Sequence, residues 1–246
     1  YTPDSQFFFF ANKTIEVCVP TVSCPNGLKE YDPGADSLHN FVWEESVIPH
    51  RYKALPDMFR ITRKEGDNGQ ALLDIDILNV KSNFFGYLIN TSRLYWREET
   101  ELPFGDDREA SAAYIKAHPF CIDGEGLQPY EIAEQKQNLI NKIFTFGYML
   151  HRYKDYARCW APMAMDNKIG EEDECNGRSG KSFFFKTLSF LVNTVKLSGR
   201  NPKLMDNPHV FEMVSQFTGI LLIDDCDRYL NLGPFYDNIT SDMTVN

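Results

Sequence analysis

The sequence predicts an α/β fold in its C-terminal part, preceded by an α+β N-terminal region. Three observations predict it. Past residue 160, strand-like and helix-like apolar runs alternate, the pattern of an open sheet flanked by helices. A glycine-containing loop stands between a predicted strand and a predicted helix, where chains of this class place an anion. A long amphipathic segment, Glu131 to Tyr153, leads into this region. The boundary falls before that segment, giving residues 1–130 and 131–246 as two parts; a chain of 246 residues holds one large domain or two modest ones.

The elements are justified in chain order. Phe7 to Phe10 and Thr14 to Val19 are aromatic or β-branched runs around the turn-prone Asn12-Lys13, which reads as a β-hairpin. Residues 23–37 are dense in Gly, Pro, Asp and Ser and read as loop; Asn40 to Trp43 is strand-like. Asn83 to Leu94 places Phe84, Leu88 and Leu94 near one helical face, and residues 99–129 carry loop signals. In the helix Glu131 to Tyr153, Ile132, Leu139, Ile140, Ile143, Phe144, Met149 and Leu150 recur at helical spacing, with Glu131 and Glu134 in the first turn, where the dipole favours them. A strand near Trp160 to Met165, a loop to Gly180, a helix from Lys181 to Leu197 and a short strand at Lys203 to Met205 follow. A helix from Pro208 to Phe217, capped by Asn207, precedes the strand Gly219 to Ile223.

Composition narrows the function classes. Hydrophobic residues at 43% and charged residues at 24% make a globular chain and exclude general disorder. The longest apolar runs, Phe7 to Ala11 and Gly219 to Ile223, fall far short of the roughly 18–20 residues of a membrane span, so no membrane partner is expected. A net charge of −10, shared by both parts, argues against general nucleic-acid coating. Six cysteines without CxxC or Cys/His metal spacing read as reduced thiols, and with no signal peptide the expected location is the cytoplasm.

The chemistry concentrates in Cys175 to Ser182, CNGRSGKS. A phosphate loop needs small residues whose N–H groups point inward, a helix N-terminus, a Lys for the β- and γ-phosphates and a hydroxyl for Mg2+. Asn176, Gly177, Arg178, Ser179, Gly180, Lys181 and Ser182 supply the loop, and Cys175 stands where GxxxxGK[ST] asks for Gly. If that position needs positive φ, its side chain costs about 1 kcal/mol. Arg178 is read as a solvated member of the loop rather than a finger. The second half of the signal is GILLIDD, Gly219 to Asp225, an apolar strand ending in two acids. Asp224 is assigned with Ser182 to the metal; Asp225 is assigned to the attacking water, and Lys181 to the phosphates. The bland alternatives are an exposed helix start and a solvated acidic turn. Loop and acids in this order and spacing together outweigh them and point to a P-loop nucleotide site, Walker A followed by Walker B.

NGRSGKS followed by LLIDD and NITSDMTVN resembles the helicase part of phage and plasmid primase-helicases of superfamily 3, with relatives in Bacteroides-type gut bacteria and their phages. Blocks similar to LINKIFTFGYMLHRYKD, WAPMAMDNKIGE and GRNPKLMDNPHVFE extend the likeness over Leu139 to Asn246, and more loosely over Phe85 to Arg97. The resemblance implies an AAA+-like P-loop ATPase using ATP and Mg2+ in DNA replication, a hexameric ring of like subunits, and single-stranded DNA in a central channel. Thr240 to Asn246 resembles the start of the region leading to the DNA-binding hairpin. The family's sensor Asn and Arg finger come later than Asn246, so the piece is expected to handle ATP without working as a motor. Two other classes remain open: a P-loop small-molecule kinase or phosphotransferase, and a nucleotide-dependent binding module.

Other features have plainer readings. His39, His50 and His118 lie near loop signals without metal partners, and Glu171 to Glu174 reads as a solvated face. His151, Arg152, Lys154 and Arg158 fit a dipole-complementing helix end better than a phosphate grip, and Phe7 to Phe10 a core or edge strand better than a base-stacking platform.

Overall fold

The computed structural model describes residues 2–32, 42–66, 69–165, 180–241 and 243. It is a mixed α/β molecule with small sheets and, among the described residues, six α-helices. Two compact units form: the described parts of residues 1–53, 148–165 and 180–246 make one, and residues 54–147 belong to the other. The expected boundary after residue 130 falls inside the helix Pro129–Leu150.

In the first unit the predicted hairpin is present as β1 (Ser5–Phe10) and β2 (Thr14–Cys18), antiparallel with Phe8 opposite Ile15. β3 (Leu28–Tyr31) pairs with β2, although residues 23–37 read as loop: a four-pair ladder with β2 overrides the turn residues around it. β4 (Val47–Ile48), after a 3-10 turn at Glu44–Ser46, runs parallel to β1. The order β3-β2-β1-β4 makes the Phe7 to Phe10 strand central rather than an edge. Of the expected strand Asn40 to Trp43, Asn40 and Phe41 lie outside the described residues, and Val42 and Trp43 are irregular. The thiol of Cys18 donates to the sulfur of the buried Cys24 at 2.8 Å, and both are free cysteines.

The rest of this unit departs from expectation in four places. Trp160 to Met165 is not a strand: Pro162 interrupts it, and Trp160, Met163 and Met165 are exposed, so no face is buried to define one. The helix opening at Lys181 is α5 (Lys181–Leu188) and stops nine residues early. The alternating, β-branched TVKLS forms β7 (Thr194–Ser198) instead, parallel to β8 (Ile220–Asp224), which was expected as a strand. Lys203 to Met205 gives way to a 3-10 turn at Leu204–Asp206. Pro208 to Phe217 closes as successive turns, with Val210 N donating to Asn207 O at 3.2 Å and Val214 N to Phe211 O at 2.9 Å, spacing too tight for an α-helix. A short helix, α6 (Phe235–Thr240), ends the described chain.

The second unit holds the antiparallel hairpin β5 (Phe59–Glu65) and β6 (Ala71–Ile77) and the helices α1 (Asn83–Asn90), α2 (Trp96–Thr100), α3 (Arg108–Ala117) and α4 (Pro129–Leu150). Ser82 caps α1, accepting from Phe85 N at 3.3 Å. α4 buries Leu139 and Ile140 as its spacing predicted, whereas Phe144, expected on the same face, is 57% exposed. Gln135 on the same helix is fully buried, accepting from Tyr95 N at 3.0 Å and donating to Ile122 O at 2.7 Å. Lys142, its pKa lowered to about 8 by burial, donates to Thr91 O at 2.5 Å and so satisfies the end of α1. Arg93 and Glu99 form a buried ion pair at 2.6 and 3.1 Å, with the guanidinium 4.4 Å from the Trp96 ring centre. No helix among the described residues is long and apolar enough to cross a membrane.

Candidate functional site

Gly180 opens α5 in the left-handed conformation, φ 85° and ψ 0°, which a side chain would strain; its carbonyl accepts from Phe184 N at 3.0 Å and starts the helix. Phe184 and Leu188, one turn apart, are buried and anchor α5. Lys181 and Ser182 follow at once, in the first turn. Asn176, Gly177, Arg178 and Ser179, the other expected loop residues, lie outside the described residues, as does Cys175.

The second component is the end of β8. β7 and β8 pair in parallel register, with Lys196 opposite Leu222 and Ser198 opposite Asp224. Ile220 is buried, fixing the strand, and Gly199 N donates to Asp224 O at 2.7 Å. The two carboxylates therefore leave a parallel sheet at its C-terminal edge, the side on which such sheets bind ligands.

Sequence-distant residues meet here. Ser182 Oγ donates to Asp224 Oδ1 at 3.0 Å, across 42 positions of chain. Lys196 Nζ stands 2.5 Å from Asp224 Oδ2, and Asp225 N donates to Asp224 Oδ1 at 3.1 Å. These partners, the Lys196 ammonium first, hold the Asp224 carboxyl below its ordinary 3.8 against the opposing effect of burial. Asp225 has φ 53°, unusual for a residue with a side chain and of the kind that clusters at working sites. Arg200 Nη2 donates to Asp225 Oδ2 at 2.8 Å. Each acid of the pair thus faces a cation.

The donor set suits a hard divalent cation. Mg2+ with oxygen bonds of about 2.0–2.1 Å at right angles sets neighbouring ligands about 2.9 Å apart, and Ser182 Oγ and Asp224 Oδ1 are 3.0 Å apart. A hydroxyl and a carboxylate are the ligand types such an ion takes.

Of the expected site residues, the fold brings Gly180, Lys181 and Ser182 to one helix start and joins Ser182 to Asp224, while the Asp225 side chain pairs with Arg200. Lys196 and Arg200 were missed. Lys196 was read as part of a helix, and the signal for it was the alternation Thr194, Val195, Lys196, Leu197, which puts it on a strand beside the acids. The cations after α4 are engaged elsewhere: Lys154 Nζ donates to Asn238 O at 3.1 Å, and Arg158 pairs with Asp155 at 3.1 Å. His50 meets the Phe190 ring edge-on at 5.8 Å, and His118 stacks on Tyr114 at 4.1 Å. No family model matches this chain, and no curated protein and no solved structure matches it.

Proposed function

We propose that the chain binds and hydrolyses ATP with Mg2+ as the ATPase part of a DNA replication helicase of the primase-helicase kind. The observation that carries the reading is the hydrogen bond from Ser182 to Asp224 at 3.0 Å. The two residues that the motif logic selects independently as metal ligands share one site, at the mouth of a parallel strand pair and the start of a helix.

The roles follow from chemistry. Gly180 turns the chain into α5, whose positive N-terminal end favours a phosphate. Lys181 binds the β- and γ-phosphates, and Ser182 and Asp224 hold the metal. When bound, Mg2+ supplies neutralisation of charge on the phosphate oxygens. Asp225 orients the attacking water and accepts its proton, a role that requires Arg200 to release the carboxylate. The helicase assignment, the ring of subunits and the single-stranded DNA partner rest on the motif resemblance.

The test is ATP hydrolysis by the wild-type chain and by Lys181→Ala, with and without single-stranded DNA. The expected result is loss of hydrolysis in the variant by at least about tenfold. Unchanged hydrolysis in Lys181→Ala removes the ATPase reading. Turnover that ignores DNA and transfers phosphate to a small acceptor would favour a kinase.

A further inference from the structure

We propose that Lys196 is a displaceable counter-ion, occupying the metal-holding acid until a nucleotide brings its cation, and so sets how tightly the site takes a divalent ion. The inference rests on the ATPase reading above.

Both oxygens of Asp224 are in use. Ser182 Oγ donates to Oδ1 at 3.0 Å, and Lys196 Nζ lies 2.5 Å from Oδ2. The carboxylate is only 17% exposed at its side chain, so leaving it without a positive partner would be unfavourable. The ammonium meets that need, but it stands where a divalent cation on Asp224 would have to bring two further positive charges. Repulsion at that range is several times the thermal energy even with strong screening. Lys196 and the cation therefore compete for one carboxylate.

Position makes the exchange easy. Lys196 sits on β7 two residues before Ser198, the partner of Asp224 in the ladder, so both point to one face of the strand pair. Its side chain is 62% exposed, so the stem reaches in from solvent and can swing away without unpacking the core. A bare cation must displace the ammonium unaided. A cation arriving on a triphosphate comes with negative charge that offsets the repulsion and gives the released ammonium an acceptor. The device favours the metal–nucleotide pair over the metal alone. Arg200 makes the equivalent contact with Asp225 and leaves Asp224 to Lys196.

The test is Mn2+ binding by the full chain, followed by the electron paramagnetic resonance of the free ion, with and without a non-hydrolysable ATP analogue. Wild type, Lys196→Met, Lys196→Arg and Asp224→Asn are compared. Lys196→Met should bind Mn2+ alone roughly fivefold more tightly than wild type, as expected for loss of one well-formed surface pairing. The gain should shrink when the analogue is present, and Lys196→Arg, which keeps the charge, should stay near wild type. Equal or weaker Mn2+ affinity in Lys196→Met overturns the inference while leaving the ATPase reading in place. No saturable binding by any of the proteins, or binding that Asp224→Asn leaves intact, overturns the ATPase reading and the inference with it. Exposure of Lys196 makes misfolding of its variants a minor concern, and Lys196→Gln gives a second neutral side chain on which the result must repeat.

Discussion

Asp74 sits between two ammonium groups: Lys136 Nζ at 3.0 Å and Lys64, whose hydrogen bond is the larger effect. Together they lower the carboxyl from its ordinary 3.8 to about 2. A depressed carboxylate stabilises the fold above the unfolded value and loses that contribution as pH falls through the folded one. Asp74→Asn should therefore be less stable than wild type at pH 5 in urea unfolding, with the gap closing between about pH 4 and pH 2. A gap that persists unchanged at low pH would mean that charge is not its source. The buried Arg93–Glu99 pair makes a stronger demand. Glu99→Ala leaves an uncompensated guanidinium and should cost about 3–5 kcal/mol, read by urea unfolding. The same pocket forbids a side chain at Gly124, where a Cβ would lie 2.1 Å from the Glu99 carboxyl group.

Elements divide by how much of their conformation is local. The hairpin β1–β2 was legible because aromatic and β-branched runs flank a two-residue turn signal, and α4 because its apolar residues keep a helical period over six turns. β8 was legible as a short apolar run closed by acids. What misled was amphipathic ambiguity: residues 189–197 continue a helical pattern on paper, yet Val195 and Leu197 serve equally well on a strand, and pairing with β8 decides. The hairpin β5–β6 went unread because its strands expose most of their residues and show little alternation of burial. α3 buries no residue, so its sequence signals were those of its ends: the cap Asp107, which accepts from Ala110 N at 3.0 Å, Glu109 in the first turn and Lys116 in the last. At the site the motif identified Gly180, Ser182 and Asp224, while the cations facing the acids depend on strand register, which no motif encodes. Gly180→Ala tests the element itself. A Cβ at φ 85° should cost about 1 kcal/mol of stability and weaken binding of a fluorescent ATP analogue; unchanged binding would mean that the turn does not set the phosphate site.

At the scale of the whole molecule, a chain with net charge −10 gathers the described residues of the candidate site within one compact unit. Lys196 and Arg200 lie on one segment and pair with Asp224 and Asp225 respectively, so each acid of the candidate site has a cation beside it. Among the described residues, 54–147 bring a separate core, with a buried ion pair and a buried glutamine, and none of them belongs to the candidate site.

The central claim is that Ser182 and Asp224 act together on one metal-bound triphosphate, and a double-mutant cycle measures that directly. Calorimetric titration with Mg2+ and a non-hydrolysable ATP analogue should show large losses for Ser182→Ala and for Asp224→Asn. The double variant should then be little worse than the weaker single one, a coupling on the order of 1 kcal/mol or more. Strictly additive losses, or affinity that neither change disturbs, would contradict the account.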